Sequence, residues 1–242
     1  MQEWFDELKA QFILNFINDN RWQFLVNGLV VTLRITFFAL LIGIAIGVVV
    51  AIVRSTYDKN ASLMKKGAGR FLLNLFNVIC KFYLTVIRGT PVVVQLMIFY
   101  FVVLVSIRNG ELIGIVAFGI NAGAYIAEIF RSGIMSIDNG QFEAGRSLGF
   151  NYIQTMRHII IPQAFKNILP TLANEFIVLL KETAVVGYVA VQDLTKAGDI
   201  IRGRTFSAFM PLIAVALVYL ALVMFFTKLV SFLERRLRDS ER

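Results

Sequence analysis

Residues 35–53 read ITFFALLIGIAIGVVVAIV, nineteen residues without a charge. A helix of roughly 20 mainly apolar residues crosses the hydrocarbon core of a bilayer, so this stretch sets the fold class. Gly43 and Gly47 within it have the GxxxG spacing that lets two membrane helices pack closely. The rest of the chain has the same character. Of 242 residues, 57% are hydrophobic and 17% charged, whereas an ordinary soluble domain has about 45–50% and about 25%. A soluble domain and a disordered chain are both excluded.

Working outward, residues 91–107, 112–127, 167–180 and 205–227 are further apolar stretches. The expected architecture is all-α and integral to the membrane, with five spans in one domain over 1–242. Glu175 interrupts the fourth span, and Pro162 and Pro170 should kink or end helices there. Residues 71–87 are apolar but broken by Lys81. They read as a cytoplasmic or partly immersed lead-in to one long, kinked second helix.

The net charge is +8, which in so apolar a chain sets membrane orientation and gives no sign of nucleic-acid binding. Segments 54–90, 131–166 and 228–242 hold 16 Lys and Arg, against 7 in segments 1–21, 106–111 and 181–204. The bias puts the N-terminus outside and the C-terminus in the cytoplasm, which requires an odd number of spans. In segment 1–22, Trp4, Phe5, Leu8, Phe12 and Phe16 recur at helical spacing among Glu3, Asp6, Glu7 and Lys9. That pattern suits an amphipathic helix on the outer membrane face, or a plain extension of the first span.

Cys80 and His158 are the only residues of their kinds, so neither a disulfide framework nor a His/Cys metal site is expected. No cofactor is implied. The sequence has no GxxxxGK[ST] phosphate loop and no nucleophile–base set. The chain therefore cannot hydrolyse ATP by that route, and no catalytic residue is expected.

The segment DNGQFEAGRSLG, 138–149, is too polar to span. Asp138 and Gln141 have the spacing of a capping box, and Gly149 can take the left-handed conformation that ends a helix. A helix of about ten residues, roughly 15 Å, lies between them. Its small residues, Gly140, Ala144, Gly145 and Ser147, would let a partner surface come close. A solvated cytoplasmic turn is the bland alternative.

Glu143-Ala144-Gly145, three residues, Gly149, nine residues, then Ile159-Ile160-Ile161-Pro162 resembles the "EAA" loop, EAA-x3-G-x9-I-x-L-P, of bacterial ATP-binding-cassette (ABC) importer permeases. Gly145 and Ile161 depart from that pattern. Ile87-Arg88-Gly89-Thr90-Pro91 with Gln95, and Asn121-Ala-Gly-Ala-Tyr125-Ile-Ala-Glu128-Ile-Phe-Arg131, resemble the subfamily importing polar amino acids, the histidine, glutamine and arginine permeases. The resemblance implies a type I importer fold in the bacterial inner membrane. It also implies two permease chains, identical or sister, two ABC ATPase subunits and an external solute-binding protein. Glu143, Ala144, Gly145, Arg146 and Gly149 would then form the ATPase-coupling helix of an alternating-access importer.

Polar groups at membrane depth are costly unless used. Asn121, Tyr125, Glu128 and Ser132 share one face of the third span. Glu128 either meets a solute ammonium, of any amino acid or of a basic side chain, or pairs with Arg131 or Arg88. The break at Gly89-Thr90-Pro91 is expected to place Thr90 as cap of a helix starting at Pro91, with free N–H groups for a carboxylate near Arg88 and Gln95 on the same path. Lys181 and Glu182 form a surface ion pair or an outer gate. A stand-alone secondary transporter or channel, or a membrane scaffold, is the rival reading, and membrane lipid the remaining partner.

Overall fold

A computed structural model describes residues 1–61 and 67–239. Lys65, Lys66 and Arg242, counted in the charge bias above, lie outside the described residues. The described residues form helices α1 (Gln2–Phe12), α2 (Trp22–Asn60), α3 (Ala68–Gly89), α4 (Val92–Ile98), α5 (Gly110–Met135), α6 (Asn139–Ser147), α7 (Tyr152–Thr155), α8 (Ile161–Glu182), α9 (Leu194–Thr205) and α10 (Phe209–Asp239), with no strand among them.

Helices α2, α3, α5 and α10 are long and apolar enough to cross a membrane. The 71–87 stretch, expected as a lead-in, is therefore a helix of spanning length in its own right: α3, 22 residues, is about 33 Å long. Lys81 does not break it, because one exposed lysine can extend its head towards water along an apolar stem. The expected second span, 91–107, keeps helical form only over Val92–Val103. The expected fourth span lies in α8, which with Lys166, Glu175, Lys181 and Glu182 is less apolar than the other four. Pro162 sits in the first turn of α8, and Pro170 lies inside it without ending it.

α5 is the hub. Its apolar stretch is 61% buried, against 17% for α3 and 11% for α10, so the latter two sit at the rim and show apolar side chains to the surroundings. The α2–α5 seam is closed by glycines on both helices. A Cβ on Gly47 would lie 2.6 Å from Ile126 Cγ2, and one on Gly43 would lie 3.0 Å from Ala122 Cβ. From the other side, a Cβ on Gly119 would lie 2.7 Å from Ile42 Cγ2, and one on Gly123 would meet Ile46 at 3.0 Å. Ile35, Ala39, Phe118, Ala122 and Ile126 fill this seam and are almost wholly buried.

One end of the bundle gathers α1, the corner 183–193 and α9. Asp19 and Asn20 take positive φ, 55° and 53°, so α1 turns away from α2 and is no extension of it. Asn15 fixes α1 to the α9–α10 corner, accepting from Thr205 Oγ1 at 2.8 Å and donating to Ser207 Oγ at 3.3 Å. Asp193 caps α9, accepting from the N–H groups of Thr195 and Lys196 at 3.1 and 3.0 Å. Leu194 N–H donates to Thr32 Oγ1 on α2 at 3.1 Å. Gly28 lets that corner in, since a Cβ there would stand 2.6 Å from the Asp193 carbonyl oxygen. The other end holds α6, α7 and the polar last turns of α2.

Two expected outcomes follow from these contacts. Gly47→Leu should lower the thermal unfolding midpoint in detergent by an amount equivalent to about 1–3 kcal/mol of overpacking, while Gly67→Leu, with open space around it, should change it little. Burial pushes the Asp193 carboxyl above its ordinary range, against the pull of the Lys196 and Thr195 N–H groups. The folded state then binds the proton more tightly than the unfolded state, so the contribution of Asp193 to stability grows as pH falls and is lost as pH rises. Asp193→Asn removes the buried charge and keeps one of the two accepted N–H bonds, so its midpoint relative to that of the native chain should fall as pH falls. Asp193→Ala should cost about 1 kcal/mol. Unfolding midpoints across pH check both.

Candidate functional site

The break between α3 and α4 is local chemistry. Thr90 is extended ahead of Pro91, which has φ −65° and ψ 135°, as the ring of a following proline demands. Thr90 does not cap α4. Its hydroxyl donates back to the Val86 carbonyl at 2.8 Å, and Pro91 is itself the capping residue, so the helix starts at Val92. The carbonyls orphaned at the end of α3 are taken by Gln95, whose amide donates to Ile87 O at 2.7 Å, Thr90 O at 3.1 Å and Thr90 Oγ1 at 2.7 Å. Gln95 Oε1 in turn accepts from Asn121 Nδ2 at 2.9 Å. Gln95 and Asn121 are both buried and pin the break to α5. Gly89 is exposed at its edge.

Beside this pin, Tyr125, Glu128, Ile129 and Ser132 of α5 face Asn167, Thr171 and Glu175 of α8 across a groove of about 470 Å³. Gly133 brings the helices together there, since a Cβ on it would collide with Ile168. The expected polar stripe thus divides: Tyr125, Glu128 and Ser132 line the groove, and Asn121 turns to Gln95. The α8 side was not anticipated, although Asn167, Thr171 and Glu175 recur every fourth residue.

Glu128 sits between Arg131, at 3.0 Å, and Arg88, at 3.8 Å. Arg131 also reaches Asp58 on α2 at 3.4 Å, and the Arg88 guanidinium lies 5.7 Å from the centre of the Tyr125 ring. Two cations and two carboxylates thus neutralise one another. Glu175 makes no ion pair or hydrogen bond among the described residues, which leaves it as the carboxylate of the groove open to a solute. Lys181 and Glu182 do not pair with each other among the described residues. Neighbours in a helix point about 100° apart, and the next residue, Thr183, is buried and donates to Leu180 O at 2.9 Å.

At the far end of the bundle α6 has its own construction. Asp138 caps it, accepting from Gly140 N–H at 2.6 Å. The expected capping box with Gln141 is absent, because the Gln141 side chain turns to Gln163 of α8, 3.3 Å away. A capping box forms instead between Asn151 and Gln154, at the start of α7. Gly149 ends α6 as expected, with φ +77° and Phe150 N–H donating to Gly145 O at 3.0 Å. Gly145 is small for the sake of its own chain: a Cβ there would stand 2.7 Å from Thr155. Glu143, Ala144, Arg146 and Leu148 face outward.

Membrane-length helices around a polar groove, with a capped helix at one end, are the frame of an integral membrane protein. A family model, "Binding-protein-dependent transport system inner membrane component", matches residues 67–239. The chain belongs to this family and is a multi-pass bacterial inner-membrane protein. It is 36% identical over 217 residues, 88% of this chain and 93% of the other, to a Rickettsia typhi protein named as a glutamine transport system permease, GlnP. It is 35% identical over 222 residues, 90% of this chain and 94% of the other, to the arginine transport system permease protein ArtQ of Bacillus subtilis. A solved amino acid ABC transporter with histidines superposes with TM-score 0.79 at 38% identity, over 91% of this chain and 98% of that one. The MetNI methionine transporter shares the fold, with TM-score 0.74 at 22% identity, over 89% of this chain and 97% of that one.

Removing one member of the Gln95–Asn121 pin should cost more than removing both. Gln95→Leu leaves the Asn121 amide and two carbonyls without partners, a loss of about 1–3 kcal/mol. Gln95→Leu with Asn121→Leu should recover part of it, as read by unfolding midpoints of the two variants in the same detergent.

Proposed function

We propose that this chain is the membrane-spanning subunit of an ABC importer for polar amino acids. It works as two permease copies, identical or paired with a sister chain, with two ATPases on α6 and a solute-binding protein at the α9 end. The observation that carries the reading is α6, stoppered at both ends, backed on one side by α7 and presenting Glu143, Ala144 and Arg146 outward. A rigid exposed helix of this kind is a lever for a partner that moves. The family match and the relatives named for glutamine, arginine and amino acids support the substrate class.

In this reading the chain crosses the membrane five times, α3 and α4 acting as one broken crossing, with α6 in the cytoplasm. ATP binding draws the two α6 helices together, and the bundles rock to open outward. Hydrolysis resets the inward state. The solute lies in the α5–α8 groove. Its ammonium, or a basic side chain, meets Glu175. Its carboxylate meets Arg88, whose link to Glu128 is the looser of the two that Glu128 makes. Basic amino acids gain most from the unpaired Glu175.

The test is to reconstitute the complex with its ATPase and binding protein and screen the twenty amino acids for uptake and stimulated ATP hydrolysis. Glu175→Gln should reduce uptake of the preferred solute at low concentration about tenfold or more, the loss expected for one charge-assisted hydrogen bond. Transport by the chain with no ATPase present would instead support a secondary transporter or channel.

A further inference from the structure

The apolar run of α2 ends at Val53, yet the helix continues to Asn60. It is long because its last turns hold two other elements. Lys59 Nζ donates to Asn139 Oδ1 of α6 at 2.6 Å and lies 4.5 Å from the centre of the Phe142 ring. The adjacent Asp58 reaches Arg131 of α5 at 3.4 Å. Arg131 holds Glu128, and Glu128 meets Arg88 at the α3 break. One turn earlier, Arg54 donates to Asn77 of α3 at 2.7 Å. The polar end of α2 thus touches α6 on one side and the groove on the other.

We propose that Arg54–Lys59 is a coupling strut, with Lys59 and Asp58 its positioning residues. Movement of α6 reaches α5 directly through residues 136–138 and reaches α8 through Phe142, which packs with Ile134, Ile137 and Ile160. Lys59 adds a further tie, from α6 to α2, and Arg54 extends it to Asn77 of α3. The strut fixes the angle of α6 against the α2–α5 body, so that a rotation of α6 reaches Glu128 and Arg88 through Asp58 and Arg131. This inference rests on α6 being the ATPase contact proposed above.

The test uses the assembled complex in proteoliposomes, with L-glutamine and L-arginine as probes. Lys59→Met keeps the stem over Phe142 and loses the ammonium; Asp58→Asn keeps the shape and loses the charge. Both side chains reach solvent, so neither change opens a cavity. Each variant should still co-purify with the ATPase but move about fivefold less solute, or lower still, per ATP hydrolysed. Lys59→Arg should retain coupling. Because the links act in series, the double variant should be no worse than the more affected single one.

A second readout separates coupling from stability. In a Cys80→Ser, Ser132→Cys background, trapping the ATPase with ATP and vanadate should change the thiol-labelling rate at position 132 about fivefold or more. In either strut variant that change should fall below about twofold. The proposal is overturned if both single variants keep the native transport-to-hydrolysis ratio, if the two losses multiply in the double variant, or if the nucleotide-dependent labelling change survives. A native chain that binds no ATPase defeats the functional reading instead, and that outcome is visible before any variant is made.

Discussion

The structure depends on how closely the backbones of α2 and α5 approach. Lipid tails are as apolar as leucine, so burial alone does not drive two membrane helices together; van der Waals packing does. Gly43 and Gly47 remove the Cβ atoms that would hold α5 off, and Gly119 and Gly123 do the same towards α2. Each pair is the hole for the other helix's isoleucines, Ile126 on one side and Ile42 and Ile46 on the other. Because the holes are reciprocal, the seam cannot slide by a turn without driving side chain into backbone. That fixes α2 and α5 as one rigid body on which the other helices are hung.

The polar groups are distributed around this body in a way that follows from their cost at depth. Gln95 and Asn121 are deep and share a hydrogen bond, and the Gln95 amide also repairs the backbone that Pro91 leaves open. Glu128, Arg131, Arg88 and Asp58 lie towards the α6 end, partly exposed, and form a chain in which no charge stands alone. Exposed pairs of this sort contribute little stability each. Their value lies in joining three helices at one point, the place where a change of packing would have to be felt by all three. Glu175 escapes this bookkeeping, and an unpaired carboxylate facing a groove is kept at a cost that folding does not explain.

Much of this was legible in the sequence because it is local. The uncharged run 35–53, the GxxxG spacing, the break at Thr90-Pro91 and the left-handed Gly149 each depend on residues within a few positions of one another. What stayed hidden depends on a second element. Gln141 has the spacing of a capping box, yet its side chain turns to Gln163, and the box appears at Asn151 instead. Gly145 looks like a small residue kept for a partner, and Thr155 of its own chain occupies the space. Asn121 shares a face with Tyr125 and Glu128 by periodicity, but a helix face is wide enough for one side chain to turn to α4 while its neighbours line a groove. The α8 wall went unread because Glu175 was weighed as a defect in an apolar span, when its spacing from Asn167 and Thr171 marked a lining.

A permease subunit moved by a partner, as proposed above, must solve two opposed problems. It needs a stiff frame, or a pull at one end is absorbed before it reaches the solute. It also needs elements free to move against that frame. The division of burial answers both. α5 is packed on most of its face and cannot yield, while α3 and α10 are largely bare and can shift with little loss of internal contact. The break at Pro91 separates α3 from α4, so the two can bend separately while Gln95 keeps the carbonyls at the gap paired. The external helix is then attached to the frame through residues 136–138 to α5, through Phe142 to the α5–α8 core, through Gln141 to Gln163 of α8, and through Lys59 to α2. Several attachments to different helices leave α6 less free to hinge than one would.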